Sequence, residues 1–243
     1  MQNAGARVLV IDADLGLADM NIAFGVRPKF TMQDVADGRV SVADALIVSN
    51  YGVKLLPAYS GSFDLANLDP QRRYALMQAL EGLPDAFDVV LIDTGAGIGA
   101  TAMSFAAAAT EIIVVTTRDM AAIADAYATM KVLSQRFGVT RVRLLVNMIE
   151  TATDAQVVYE TLEQLARRFL QLRVERLGYV CRDNEVSRAW RRGTPFAIER
   201  PDAPASHCVR VLASSLYRSS TPVITGGVQL FWRRLSAAAA VIS

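Results

Sequence analysis

The sequence has little cysteine and little histidine. Its 243 residues contain two cysteines, Cys181 and Cys208, and a single histidine, His207. A disulfide framework needs more cysteines, and a zinc site of cysteine and histidine ligands needs more of both residue types. Neither is therefore expected. Sparse cysteine is usual in a reducing cytoplasm. The composition therefore predicts a cytoplasmic protein that needs neither disulfides nor zinc to fold.

Long apolar runs and a net charge of one sign are also lacking. No apolar run is long enough to span a bilayer, and the N-terminus lacks the charged-then-apolar pattern of a secretion signal. The formal net charge is +1, so the overall balance does not call for nucleic acid or an acidic partner. These features predict a protein that is at most attached to a membrane surface.

Apolar runs and helix-like segments alternate along the chain. The runs lie at 7–13, 53–58, 88–94, 111–117, 141–148 and 176–180, and apolar residues recur at helical spacing over 69–83, 121–138 and 154–170. Several runs are apolar at successive positions, as in strands that are covered on both faces. The alternation predicts an α/β fold with a doubly wound, mostly parallel sheet and helices on both faces.

Carboxylates follow the first apolar run. The stretch "RVLVIDADLGLAD" (7–19) leads from a predicted strand directly into Asp12 and Asp14. The carboxyl ends of parallel strands form the ligand-binding edge of an open α/β sheet, so both side chains are candidates for a binding site. The alternative is structural, with one aspartate capping a helix and the other solvated.

A second carboxylate follows the third run, in "VVLIDTGAGIGATAM" (89–103). Asp93 ends the predicted strand, and Gly95, Gly97 and Gly99 follow at every second position. An aspartate in this place can hold Mg²⁺ and its water shell in the Walker-B manner, and glycines let the backbone approach a phosphate. The alternative is that Asp93 caps the next helix and the glycines form a tight turn. Two strands that end in carboxylates favour the binding site.

Four longer stretches carry a family resemblance. "VLVIDADLGLADMNIAFGVRP", "VVLIDTGAGI", "AIADAYATMKVL" and "GYVCRDNEVSRAWRRGTPF" occur in this order. Together they resemble the MinD/ParA group of deviant P-loop ATPases, and most of all its flagellar-number branch, the FlhG/FleN (YlxH) proteins. The resemblance implies an ATP- and Mg²⁺-dependent molecular switch that regulates flagellar number or placement. It also implies a homodimer in the ATP-bound state, flagellar regulator or basal-body partners, and a peripheral position at the inner face of the cell membrane.

The resemblance also assigns roles to the carboxylates. Asp14 matches the switch aspartate that orients the attacking water or Mg²⁺, and Asp93 matches the Walker-B aspartate, so both are assigned to catalysis and to the metal. Asp12 is assigned to the cofactor site in a supporting position. Gly95 and Gly97 are assigned to the loop beside the terminal phosphate.

Three further residues are assigned to the nucleotide base by the same resemblance. Asn147, at the end of "LLVN", matches the residue that contacts the adenine edge. Val180 and Arg182 belong to the loop after the last core strand, which matches the wall beside the base.

One family motif is not found in the sequence. No "GK[ST]" occurs, and the only lysines are Lys29, Lys54 and Lys131. Because the P-loop supplies the backbone cradle and the lysine for the phosphates, we expect the chain to lack the family's first strand, P-loop and first helix, and to bind ATP poorly by itself. Two alternatives therefore stay open: a nucleotide-free pseudo-ATPase that acts through partners, and a ParA-like partitioning ATPase. DNA binding is not expected at near-neutral charge.

The last residues have a different composition. We predict one family domain over 1–218 and, over 219–243, a linker followed by an amphipathic helix. In "GGVQLFWRRLSAAAAVIS" (226–243), helical spacing places Val228, Phe231, Trp232 and Leu235 on one side and two arginines on the other. This pattern predicts a helix that lies in the membrane interface, and the alternative is a terminal helix docked on its own domain.

Overall fold

The computed structural model divides the chain into two compact units. It describes residues 1–14, 19–58, 69–81, 83, 87–219 and 234. The described residues of 1–108 belong to unit 1, and residues 109–219 form unit 2. In the part of the chain that is described, no helix combines the length and the apolar character needed to cross a membrane. The prediction of one domain over 1–218 stays a prediction.

Unit 1 contains a four-stranded sheet. Its strands are β1 (Val8–Asp12), β2 (Ile47–Val48), β3 (Lys54–Leu56) and β4 (Val89–Asp93), in the order β2-β3-β1-β4. β1 pairs in parallel with β3 and β4, and only the short β2 is antiparallel. All five residues of β1 are buried, which explains why this strand is apolar at successive positions up to its final aspartate.

Five helices accompany this sheet in the described part of unit 1. They are α1 (Met20–Ala23), α2 (Met32–Ala36), α3 (Val42–Ala45), α4 (Pro70–Glu81) and α5 (Ala100–Ala108). α2 and α3 each begin with a capping box, formed by Thr31 with Asp34 and by Ser41 with Asp44. Their apolar residues join β1, α4 and α5 in one core cluster, which includes Leu9, Ile11, Met32, Val35, Leu76, Leu80 and Phe105.

Unit 2 contains a three-stranded parallel sheet. Its strands are β5 (Ile113–Thr116), β6 (Arg141–Ile149) and β7 (Arg173–Cys181), with β6 in the middle. The helices α6 (Met120–Phe137) and α7 (Ala152–Phe169) contact β5 and β6. Alternate residues of β6, namely Val142, Leu144 and Val146, are buried.

Between β7 and residue 219, three more helices follow. They are α8 (Asn184–Arg191), α9 (Phe196–Glu199) and α10 (Pro204–Ser219). α10 contacts β7 closely at Gly178, where an added Cβ would meet Leu212 Cδ2 at 2.7 Å. Gly178 also has a φ of 141°, so a side chain is excluded here both by conformation and by space.

The predicted elements are confirmed with small shifts of their ends. A strand coincides with each of the six apolar runs, and a helix coincides with each of the three helix-like segments. Gly138 ends α6 with a φ of 65°, as its position predicts. The segment 154–170 predicts a helix that begins at Asp154, but α7 begins at Ala152, after a cap at Thr151. Asp154 is the third residue of this helix and completes a capping box with Thr151. The α/β class with mostly parallel strands is therefore confirmed.

Tyr159 fixes an irregularity between β6 and β7. The register shifts after Leu144, so that Leu145 pairs with Gly178. The buried Tyr159 hydroxyl accepts a hydrogen bond from Gly178 N at 3.0 Å and donates to Gly178 O at 2.5 Å. A single side chain thus satisfies both backbone groups of the glycine at which the ladder is disrupted.

We expect Tyr159→Phe to lower the free energy of unfolding by about 1–3 kcal/mol, because Gly178 N–H loses its buried acceptor. Urea denaturation measures this change. Tyr127→Phe is the matched control, since Tyr127 lies half-buried on α6, and we expect its effect to stay within about 0.5 kcal/mol. Equal values for the two variants would contradict the structural role of the Tyr159 hydroxyl.

Candidate functional site

The carboxylates predicted from the sequence meet at one end of the unit 1 sheet. β1 and β4 pair in register, so that Asp12 lies opposite Asp93. Beyond the last strand pair, Ala13 N donates to Asp93 O at 2.7 Å. Both strands therefore deliver their following loops to the same edge, which is the ligand edge of a parallel sheet.

Asp12 uses its two oxygens to hold the loop that follows β1. The side chain is 1% exposed. Its Oδ1 accepts a hydrogen bond from Asp14 N at 3.2 Å, and its Oδ2 accepts one from Met20 N, in the first turn of α1, at 3.4 Å. Asp12 thus has a structural task in this loop, and its assignment to the cofactor site stays a prediction.

Asp14 lies against the glycine loop that follows β4. A Cβ on Gly95 would lie 3.0 Å from the Asp14 carboxyl atoms, so a larger residue here would require the Asp14 side chain to shift. Gly97 adopts a φ of 90°, which favours glycine for a different reason. α5 begins only at Ala100, so Asp93 is too far along the chain to cap it directly. The loop from 93 to 99 is therefore shaped around the carboxylates.

Two of these carboxyl groups, Asp12 and Asp93, have raised pKa values. Burial raises the pKa of Asp12 to about 6, and the charges of Asp93 and Asp19 act in the same direction, while the two backbone hydrogen bonds oppose them. Solvent reaches Asp93, yet neighbouring atoms displace enough water to raise its pKa, and Asp19 and Asp14 raise it further. The cluster therefore favours the arrival of a positive charge.

Mg²⁺ fits this donor set. Magnesium takes oxygen ligands and is commonly bound through one or two carboxylates, with phosphate oxygens and water completing its shell. Asp14 and Asp93 supply two such carboxylates at neighbouring loops. Within the described residues, no group of three or more histidine, cysteine or acidic side chains is arranged to hold a metal unaided. A metal here would thus depend on oxygens from a ligand.

The residues assigned to the base lie in unit 2, at the ends of β6 and β7. Asn147 Oδ1 accepts a hydrogen bond from Met148 N at 2.8 Å, and Met148 has a φ of 56°, which is unusual for a residue other than glycine. Arg182 N donates to Ile149 O at 2.8 Å, and the Arg182 guanidinium is exposed near Glu150. Val180 is buried in an apolar cluster. Asn147 and Arg182 thus remain accessible, whereas the Val180 side chain does not.

Two polar residues, Asp183 and Tyr159, have structural roles that the sequence analysis did not predict. Asp183 caps α8 by accepting from Glu185 N, and its second oxygen accepts from Ala205 N in α10. The order "DNE" before an apolar residue could have indicated the cap. Nothing in the local sequence could have indicated the bond to Ala205 or the contact of Tyr159 with Gly178.

The predicted membrane residues cannot be placed in the same way. Val228, Phe231, Trp232 and Leu235 lie outside the described residues.

Comparison with known proteins decides the family. The model of the CobQ/CobB/MinD/ParA nucleotide binding domain matches residues 1–196. The chain belongs to this family. It is 33% identical to the antiactivator FleN of Pseudomonas aeruginosa, with 97% of the chain and 84% of the relative covered. It is 28% identical to the flagellum site-determining protein YlxH of Helicobacter pylori, with 95% and 80% covered.

Solved structures show the same fold. The cell division ATPase MinD of Pyrococcus furiosus matches with a TM-score of 0.74 at 23% identity, over 90% of the chain and 88% of the neighbour. MinD of Pyrococcus horikoshii, solved in complex with Mg-ADP, matches with a TM-score of 0.71 at 22% identity, over 88% and 84%. The resemblance to the FlhG/FleN branch and the MinD/ParA fold are both confirmed.

We expect Asp12→Asn to change how stability depends on pH. A carboxyl group whose folded-state pKa is raised stabilises the fold below its unfolded pKa, and this contribution is lost as pH rises through the folded pKa of about 6. The loss totals about 3 kcal/mol, of which roughly 1.5 falls between pH 5 and pH 8.

Relative to Asp12→Asn, the parent protein should therefore become less stable over this pH range, as urea denaturation measures. Asp202→Asn, at an exposed loop position, is the control and should follow the parent at both pH values. A constant difference between the parent and Asp12→Asn would show that the buried carboxyl does not titrate as described.

Proposed function

We propose that this protein is a MinD-type ATPase that regulates flagellar number or placement. The proposal rests mainly on the in-register pairing that sets Asp12 and Asp93 side by side at the ligand edge of unit 1, with Asp14 against the glycine loop. The similarity to an antiactivator and to a flagellum site-determining protein supports the flagellar role.

The residues of this chain have separate tasks in the proposed reaction. Bound ATP would supply the phosphoryl group, and a bound Mg²⁺ would supply the positive charge that its transfer needs. Asp93 would hold the metal's water shell from β4. Asp14 would orient the attacking water or the metal from the loop after β1. Asp12 would keep that loop in place through the N–H groups of Asp14 and Met20. Gly95 and Gly97 would let the backbone approach the terminal phosphate.

Asn147 and Arg182 are proposed to contact the nucleotide base, because both match the family's positions for this role and neither side chain is buried. Val180 would contribute through its backbone, because its side chain is buried.

A second candidate is a nucleotide-free regulator of the same family. The 243 residues contain no "GK[ST]", so this candidate and the ATPase have to be separated by experiment. In this candidate the carboxylates would keep only their structural tasks, and the protein would act through a flagellar regulator or basal-body protein. A ParA-like partitioning ATPase is the third candidate.

A strain that lacks the gene tests the flagellar role. We expect its cells to carry a changed number or position of flagella by electron microscopy, and the parent gene to restore the normal pattern. Asp93→Ala should fail to restore it if the ATPase proposal holds, because the metal loses a ligand. The Asp93→Ala protein should still fold, since the substitution relieves like-charge crowding.

Asp202→Ala removes an exposed carboxylate and is the control that should restore the pattern. Full restoration by Asp93→Ala would favour the nucleotide-free regulator. Normal flagella together with a defect in DNA partition would favour the ParA-like candidate.

Membrane attachment is proposed for the C-terminal segment. Val228, Phe231, Trp232 and Leu235 would enter the interface, where each fully buried large side chain contributes about 1.5–3 kcal/mol. Arg233 and Arg234 would each add about 1 kcal/mol near anionic lipids. A single helix would bind weakly, and dimerisation in the ATP-bound state would double the attachment.

We expect the 243-residue protein to sediment with anionic liposomes, and less so at high salt. Changing both Phe231 and Trp232 to Glu should abolish sedimentation. The matched control changes Trp190 and Ile198 to Glu, because these are exposed apolar residues outside the segment. Equal sedimentation of the two double variants would rule out the proposed attachment and favour a docked terminal helix.

A further inference from the structure

The two cysteines of the chain lie in contact in unit 2. Cys181 is the last residue of β7, and Cys208 lies in α10. Their Sγ atoms are 3.7 Å apart, although the residues are separated by 27 positions in the sequence. Neither thiol is part of a disulfide in this structure. The fold thus brings two thiols that are distant in the sequence into contact.

The surroundings of the pair are apolar on one side and open on the other. Both cysteines pack against a cluster whose buried members are Val180, Ala205 and Leu212, and both remain half-buried. Burial and the neighbouring Cys208 thiol raise the pKa of Cys181, and the charge of Asp183 adds to the effect. Little Cys181 thiolate is therefore present at neutral pH, and the pair reacts slowly.

Hydrogen bonds fix the backbone around both thiols. Asp183, two residues after Cys181, accepts from Ala205 N at 3.2 Å. Ser206, two residues before Cys208, donates through its Oγ to Arg200 O at 2.6 Å. The Asp183 bond ties the turn after β7 to the start of α10, and the Ser206 bond ties α10 to the end of α9. Both cysteines therefore lie next to anchored backbone.

We propose that Cys181 and Cys208 form a redox modification site that closes to an intramolecular disulfide in the presence of a low-molecular-weight disulfide such as oxidised glutathione. An S–S bond is about 2.0 Å long, so the sulfur atoms must approach by roughly 1.7 Å, which side-chain rotation at half-buried positions can supply. Disulfides in cytosolic proteins are usually of this reversible kind.

The exchange is balanced in two steps. One protein thiolate attacks a sulfur of oxidised glutathione, which forms a mixed disulfide and releases one glutathione thiolate. The second protein thiolate attacks the protein sulfur of the mixed disulfide and releases the second glutathione. The protein loses two electrons and two thiol protons, and both are recovered in two molecules of reduced glutathione.

Closure would join the end of β7 to α10 and enclose α8 and α9 in a covalent ring. Cys181 stands between Val180 and Arg182, so the ring begins inside the segment proposed for the base. The disulfide itself is inferred from the contact of the two thiols and does not depend on the proposed function.

In the test, the reduced 243-residue protein is equilibrated in glutathione buffers that contain an increasing fraction of oxidised glutathione. One series uses the folded protein, and a second series uses the protein denatured in guanidinium. Remaining thiols are alkylated and the intact mass is measured. We expect the native protein to pass from two alkylated cysteines to none without retained glutathione, and peptide mapping to join Cys181 to Cys208. The effective concentration of one cysteine thiol relative to the other should be higher in the folded protein than in guanidinium, by on the order of tenfold or more, because the fold holds the thiols together. The thermal midpoint should rise on closure.

Cys181→Ser and Cys208→Ser are matched controls, and each should stop at a single glutathione adduct or a free thiol. The proposal is overturned by two retained glutathione adducts on the native protein, by disulfide-linked dimers, or by an equal effective concentration in guanidinium. A native protein that stays reduced where the denatured chain closes would overturn it as well.

Discussion

The parallel, in-register pairing of β1 with β4 is the constraint on which the candidate site depends. It buries β1 completely and places Asp12 opposite Asp93 at the end of both strands. A buried carboxyl group must be hydrogen-bonded, and Asp12 meets this need with the N–H groups of Asp14 and Met20. The start of the loop that carries Asp14, and the first turn of α1, are thus both fixed by one side chain. The position of Asp14 against Gly95 follows from this arrangement.

Unit 2 uses the same principle with different groups. Tyr159 satisfies Gly178 where the ladder between β6 and β7 shifts register, and Asp183 joins the turn after β7 to α10. Tyr159 comes from α7 and binds the backbone of β7 where the ladder is irregular, and Asp183 binds the backbone at the starts of α8 and α10. Side-chain hydrogen bonds thus hold β7 and the segment that follows it where the regular ladder does not.

Much of this architecture could be predicted from local pattern. Successive apolar residues in "VLVI" and "VVLI" predict buried parallel strands, and both end at the aspartates that the structure brings together. The two-residue strand β2 was not predicted, because it is too short to show a period and pairs antiparallel with β3. The contacts of Tyr159 with Gly178 and of Cys181 with Cys208 could not be predicted either. They join residues 19 and 27 positions apart, and no local pattern encodes such a distance.

The electrostatics of unit 1 favour the proposed ligand site over a purely structural role. Helix capping explains one carboxylate of the group, because Asp12 accepts from the first turn of α1. It does not explain Asp93, which is followed by a glycine loop and only later by α5. Burial raises the pKa values of Asp12 and Asp93, and the charges of neighbouring aspartates raise them further without benefit to the fold. A cation that binds Asp14 and Asp93 would remove this repulsion, since an opposite charge nearby favours the ionised carboxylates. Carboxylates that repel one another in the free protein thus favour metal binding at the edge where a nucleotide-binding sheet receives its ligand.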